Sequence, residues 1–97
     1  RVGCGVVLCG TGIGVSIAAN RHPGVRAALC HNAETARLSR KHNDANVLAL
    51  GARIIDEKTA KSCLRAFLDT EFEGGGRHER RVAMINTMVS VGNNTTR

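Results

Sequence analysis

The sequence predicts an α/β fold built on a parallel sheet, and three observations carry that prediction. Short β-type runs alternate with helical patterns along the whole chain. The first run ends directly in a cluster of glycines that opens a helix. Alanine, valine, leucine and isoleucine do the filling, with only two aromatic rings, Phe67 and Phe72. With 97 residues the chain is one domain at most. A chain of this size buries only about two-thirds of the surface exposed when unfolded, so its core gains from a partner subunit.

The first strand is expected at Gly5 to Leu8, followed by the glycine turn and a helix from about Ile13 to Arg21. His22-Pro23-Gly24 stops that helix. Val25 to Cys30 is apolar enough for a buried parallel strand. The next helix is expected from Asn32 to about Lys41, with Ala33, Ala36 and Leu38 near helical spacing. Asn32 is suited to the N-cap, and Glu34 in the first turn suits the helix dipole. Val47 to Leu50, closed by Gly51, is the third strand. Asp56 to Phe72 reads as a long amphipathic helix, in which Ala60, Cys63, Leu64, Phe67 and Leu68 recur at i, i+3, i+4, i+7 and i+8. Glu73 to Gly76 is a hinge. Arg77 to about Val91 is a final helix and Asn93 to Arg97 a frayed tail. Right-handed crossovers join the parallel strands.

The formal net charge is +6. The arginines are dispersed apart from Arg77, Arg80 and Arg81, and no stacking ring accompanies them, which argues against a nucleic-acid track and for a discrete anion. Cys4, Cys9, Cys30 and Cys63 show no metal-type C-x-x-C pairing. No apolar run approaches the roughly 20 residues of a membrane span, and no leader is visible. Reduced thiols and a cytoplasmic location are expected.

The stretch "VVLCGTGIGVSIAAN", Val6 to Asn20, places a thiol where a strand gives way to glycines and a helix start. Backbone N–H groups are unpaired there, and glycines let them converge on an anion. The pattern is neither a Walker loop nor the dinucleotide fingerprint. A turn without a ligand is the plain alternative. Cys9 beside these amides is expected to have a lowered pKa and to act as base or nucleophile, whereas Cys4, Cys30 and Cys63 read as small buried hydrophobes. Thr11 lies between two glycines and can donate to the same charge. His42 ends the second helix as a cap or a site residue. Arg77 and Arg81, four apart with His78 between them, share one face that is either solvated or anion-binding.

Together, "LCGTGIGVSIAAN", "SRKHNDANVLALGAR" and "EGGGRHERRV" resemble the ribose-5-phosphate isomerase B family, which includes galactose-6-phosphate and allose-6-phosphate isomerases. The resemblance covers practically all of residues 1–90 and rests on three separate motifs; the hinge before Arg77 is one glycine longer. It implies a flavodoxin-like (Rossmann-type) three-layer α/β/α sandwich, and residues 1–97 as the C-terminal portion of one sugar-phosphate isomerase domain, with 77–91 a helical arm. It also implies aldose–ketose isomerisation through an enediolate, without metal or other cofactor. Cys9 would take the proton from carbon 2. The backbone N–H groups of Gly10, Gly12, Ile13 and Gly14 would form the anion hole, with Thr11 assisting proton movement. His42 would open the sugar ring, Asn43 would hydrogen-bond the substrate, and Arg53, Arg77 and Arg81 would hold the phosphate.

The partners implied are a small sugar phosphate, ribose 5-phosphate first, and a second copy of the chain in a homodimer or tetramer; nucleic acid and membrane are not implied. In the family the sites lie near the subunit interface, with the C-terminal helix reaching across, and Val82, Ile85 and Val89 fit such an arm. Family members also carry about sixty further N-terminal residues, two βα units in length, with an Asp-His pair and an aspartate-tyrosine-proline segment. These are expected to be missing here, together with the first strands. The competing class is a phosphate-binding module without turnover.

Overall fold

The computed structural model describes residues 3–95, with side chains over 3–87. The elements run β1 (Gly5–Cys9), α1 (Ile13–Ala19), β2 (Ala27–Leu29), α2 (Ala33–Asn43), β3 (Val47–Gly51), α3 (Glu57–Asp69) and α4 (Gly76–Thr95). The strands form one parallel sheet in the order β1-β3-β2. Gly5 to Cys9 pair with Val47 to Gly51, and Ala27 to Leu29 with Val47 to Ala49. The chain steps outward from β1 to β2 and back to β3, so right-handed crossovers put α1 on one face of the sheet and α2 on the other. α3 packs against α2 and β3. This is the three-layer α/β/α arrangement expected.

The core lies between the sheet and the α2–α3 layer: Cys30, Ala36, Ala45, Leu48, Leu50, Cys63 and Phe67 are all buried there. Cys4 is half-buried against this cluster, and the expectation of inert, packed thiols holds best for Cys30 and Cys63. Burial raises the pKa of both, which keeps them protonated. Leu68 departs from its expected core place and is 61% exposed, so the apolar stripe of α3 is narrower than its sequence spacing suggested. Val6 and Leu8, on one side of edge strand β1, are also exposed.

Several element ends differ from expectation, and the causes are contacts distant in sequence. α1 stops at Ala19, because the Asn20 amide side chain pairs in both directions with the backbone of Ala27 at 2.7 and 3.0 Å. Arg21 and His22 then close a tighter turn on Ala18 and Ala19 instead of continuing the helix. β2 begins at Ala27 because the Arg26 N–H donates to Asn46 Oδ1 (2.8 Å) and Val25 is held in a turn on His22. α2 runs on through His42 to Asn43, where Asp44 takes the left-handed cap conformation (φ 50). α3 starts after Asp56, whose carboxylate accepts from Thr59 N–H at 2.8 Å, and ends at Asp69 as Thr70 turns extended. α4 starts one residue early, at Gly76, and is helical to Thr95, so residues 93–95 are not a frayed tail. Residues 96–97, the Val89 side chain and the remainder of that expectation lie outside the described residues.

The helix ends around α2 are tied by a guanidinium the sequence reading did not single out. Arg40 is 3% exposed. It donates to the carbonyl of Thr70 (3.1 Å) and the carboxylate of Asp44 (3.3 Å), also bonds the carbonyl of Ala45, and lies 5.6 Å over the Phe67 ring. Arg26 reaches the same Asp44 carboxylate at 3.3 Å and Asn86 of α4 at 3.2 Å. The C-terminal end of α2, the end of α3, β2 and α4 are thereby held in one polar network.

Candidate functional site

β1 delivers Cys9 to the carboxyl edge of the sheet, where the chain turns through Gly10, Thr11 and Gly12 into α1. The turn is stapled to the segment after β3: Cys9 O accepts from Ala52 N–H and Gly10 O from Arg53 N–H, both at 2.8 Å. Gly12 has φ 80, and a Cβ there would lie 2.5 Å from Leu29 Cδ1, so only glycine fits this position. Gly51 is equally constrained, because the Thr11 backbone occupies the space a Cβ would need. The Arg53 guanidinium stands over the Gly10 backbone, 3.2 Å from where a Cβ would be. Cys9, Thr11, the glycines and Arg53 therefore form one group within a single chain.

The Gly12 N–H donates to Cys9 Sγ at 3.3 Å. The Cys9 thiol is held below the ordinary thiol range, first by the Val15 N–H and then by that of Gly12, with Thr11 and Gly14 N–H groups adding to them. These donors stabilise the thiolate, outweighing the small opposing effect of burial. α1 has only seven residues, so it is these individual amides, more than a long helix dipole, that set the thiolate. The Ile13 N–H, expected in the anion hole, donates to Thr11 Oγ1 at 3.2 Å. Its release to a ligand requires the Thr11 hydroxyl to turn away.

A consequence follows for thiol chemistry. Cys9 is half-buried with a lowered pKa, while Cys30 and Cys63 are buried with raised ones. Iodoacetamide is expected to alkylate Cys9 well before Cys30 or Cys63 in the folded chain. Its rate should reach half-maximum below the pH of a free thiol, because a lowered pKa supplies thiolate earlier as pH rises. Mass mapping of the modified peptides against pH checks this. Equal labelling of Cys9 and the two core thiols would contradict it.

The second group lies elsewhere. α2 runs antiparallel to the strands, so His42 and Asn43, at its C-terminal end, sit by the amino edge of the sheet. The linker after α3 returns there: Glu73 N–H donates to Lys41 O at 2.9 Å. Gly75 N–H donates to Glu79 Oε1 at 2.7 Å, and Gly75 and Gly76 have φ 87 and 66, so the tri-glycine hinge is a shaped turn. It starts α4 beside α2, with Arg77 and Arg81 exposed on its first turns. The His78 ring stacks on that of His42, with centroids 4.2 Å apart and planes within 6°. Burial, then the neighbouring His42 and Arg77, push the His78 imidazole below its usual pKa, against the pull of Glu73. Neither His78 nor Glu73 was singled out as a site residue from the sequence.

Among the described residues, the donor atoms of His42, Glu73 and His78 lie within 4.8 Å of one another, close enough to consider one metal ion. The stack argues for a different use: parallel rings aim their in-plane lone pairs side by side, where a shared ion needs them to converge. An open hollow lined by Ala33, Lys58, Lys61, Ser62, Arg65 and Ala66 touches neither group.

β1 spans Gly5–Cys9, so the two edges of the sheet stand on the order of 13 Å apart at about 3.3 Å per residue. Cys9, Thr11, Gly10, Gly12, Ile13, Gly14 and Arg53 gather at one edge. His42, Asn43, Arg77 and Arg81 gather at the other. One chain does not bring the two sets together.

The ribose/galactose isomerase family model matches residues 1–85. Ribose-5-phosphate isomerase B of Escherichia coli is 48% identical over 84 residues, covering 87% of this chain and 56% of that protein. D-erythrulose-4-phosphate isomerase of Pectobacterium atrosepticum is 56% identical over 72 residues, 74% of this chain and 47% of that protein. The structure of type B ribose 5-phosphate isomerase from Trypanosoma cruzi superposes with TM-score 0.90 at 48% identity, covering 93% of this chain and 60% of that one. The chain spans roughly half to three-fifths of the length of these relatives.

Proposed function

This chain belongs to the ribose/galactose isomerase family, and from that premise we propose that it carries out aldose–ketose isomerisation of a sugar phosphate, with ribose 5-phosphate as substrate. The observation that carries the reading is the Cys9 thiol held toward thiolate by the amides of its own glycine loop. A base and a set of N–H donors then share one small space, which enolisation beside a carbonyl requires.

The steps balance as a pure isomerisation. His42 gives a proton to the ring oxygen while water takes the proton of the carbon 1 hydroxyl and passes it back to His42; the ring carbon–oxygen bond breaks and the aldehyde forms. Cys9 thiolate takes the proton from carbon 2, and the electrons pass to the carbonyl oxygen, which the loop amides stabilise as an enediolate. Thr11 passes a proton between the two oxygens. The Cys9 thiol returns its proton to carbon 1, leaving the ketose. Arg53, Arg77 and Arg81 hold the phosphate and Asn43 the hydroxyls, so remote binding positions the reacting carbons. No step calls on a metal or other cofactor.

The separation of the two residue groups supports a site shared between two copies, with the Cys9 loop of one chain facing His42, Asn43, Arg77 and Arg81 of the other. A homodimer buries part of α4 and relieves the small core. The free thiols support a cytoplasmic setting, and no helix among the described residues is long and apolar enough to cross a membrane.

The test is conversion of ribose 5-phosphate to ribulose 5-phosphate by the chain, by Cys9→Ala, by His42→Gln and by a co-refolded mixture of the two variants. Each variant alone is expected to be nearly inactive. The mixture should regain about a quarter of the unsubstituted rate, because random pairing in a two-fold dimer leaves one shared site in four intact. No conversion by the unsubstituted chain would overturn the isomerase reading. Conversion without recovery in the mixture would overturn the shared site.

A further inference from the structure

The stacked pair at the end of α2 is more organised than a ring-opening acid alone demands. The His78 ring covers one face of His42, 4.2 Å away and almost parallel. The Glu73 carboxylate lies beside both imidazoles, with the donor atoms of all three groups within 4.8 Å of one another. Two hydrogen bonds hold that geometry: Glu73 N–H to Lys41 O, and Gly75 N–H to the Glu79 carboxylate. The left-handed glycines 75 and 76 let the chain turn tightly enough to bring His78 back over α2. Asp44, the residue that ends α2, is in turn gripped by Arg26 and Arg40.

We propose that His78 and Glu73 are positioning residues for His42: His78 fixes the plane of its imidazole, and Glu73, beside both rings, holds the pair in that arrangement. The proposal rests on the reading of His42 as the group that opens the sugar ring. The stacked His78 ring shields one face of His42 and fixes the direction in which its ring nitrogens point. The groups facing His78 are His42 from α2, Glu73 from the linker and Arg77 and Arg81 from α4. Three of them, the two arginines and His42, disfavour a second positive charge on His78, and its own partial burial does so most of all. A second positive charge on His78 beside a charged His42 is therefore disfavoured. The place of the pair is the first step only, before Cys9 acts.

His78→Ala, His78→Phe and Glu73→Gln separate this role from a structural one. The first readout needs no turnover: the ring signals of His42 are followed against pH by NMR in the folded chain. His42 and His78 should titrate as a coupled pair, and in His78→Phe His42 should titrate in one step with its ring-current shift kept. In His78→Ala that shift should vanish, and in Glu73→Gln the His78 midpoint should fall further. His42 signals unchanged in all three variants would overturn the proposal.

The second readout compares two substrates. Ribose 5-phosphate closes a ring, whereas an aldotetrose 4-phosphate has its terminal oxygen esterified and stays open. With ribose 5-phosphate, His78→Ala should lose roughly tenfold to a hundredfold in kcat with KM nearly unchanged, as expected for a misplaced acid. His78→Phe should recover most of that loss. With the tetrose phosphate both variants should stay within about threefold of the unsubstituted chain, since no general acid–base ring opening is needed. Equal losses on both substrates would overturn positioning in favour of folding or phosphate binding. Coupled titration in a chain that turns over neither substrate would leave the pair standing and sink the isomerase reading instead.

Discussion

Cys9→Ala is expected to lower kcat for ribose 5-phosphate by roughly 10²–10⁴-fold, the usual share of a positioned base, while KM changes little. β1 ends at Cys9 in register with Gly51, and the two bonds from Ala52 and Arg53 fix the loop against the end of β3. The loop amides are thus aimed before any ligand arrives, at the thiol and at the space beside it. Removing sulfur leaves the amides and Arg53 in place, so the phosphate still binds and the proton on carbon 2 has no acceptor. Cys9→Ser keeps the volume but offers a hydroxyl that these amides cannot ionise near neutral pH, so it should be almost as slow. Steady-state kinetics of both variants, beside direct binding of ribose 5-phosphate by calorimetry, checks the prediction. A kcat within about tenfold of the unsubstituted chain would place the base elsewhere. Unchanged binding together with no turnover in any form, the unsubstituted chain included, would favour a phosphate-binding module.

What could be read from the sequence was what neighbouring residues decide. Asn32 as N-cap, with its side chain on Thr35 N–H and Glu34 in the first turn, is a local signal, and it matches the structure. So is the glycine turn after β1, since φ 80 at Gly12 calls for glycine. The ends of α1, β2 and α3 were misjudged because partners far along the chain set them: Ala27 for Asn20, Asn46 for Arg26, and Arg40 for Thr70. The stack of His78 on His42 joins two motifs that were read separately, and nothing local announces it. The division of the site residues between two edges of the sheet was within reach. A helix that follows β2 must run back before β3 begins, so its last residues cannot lie beside the end of β1. That topological step alone divides the expected site residues into two separate groups within one chain.

Arg40→Ala is expected to destabilise the fold by about 3–5 kcal/mol, the usual cost of breaking a buried ion pair. In a domain of this size that is a loss of roughly 15–30 °C in Tm. Its composition offered no sign of this, because an arginine on a helix is ordinarily solvated. Here the guanidinium is almost wholly enclosed, and it bonds the carbonyls of Thr70 and buried Ala45 and the carboxylate of half-buried Asp44. Truncation to alanine strands those acceptors, opens a cavity against Phe67 and leaves Asp44 to Arg26 alone. Arg40→Met keeps most of the packing along the stem, so its deficit relative to alanine separates the loss of volume from the loss of charge and hydrogen bonds. Thermal unfolding of the three forms measures both. A shift of less than about 1 kcal/mol for alanine would mean that water replaces the guanidinium at little cost. The network also closes α2 at Asp44, two residues beyond His42. Arg40→Met should therefore disturb the His42–His78 stack at temperatures where the fold itself is intact, and loss of the His42 ring-current shift in that folded variant would show the polar network holding the site as well as the core.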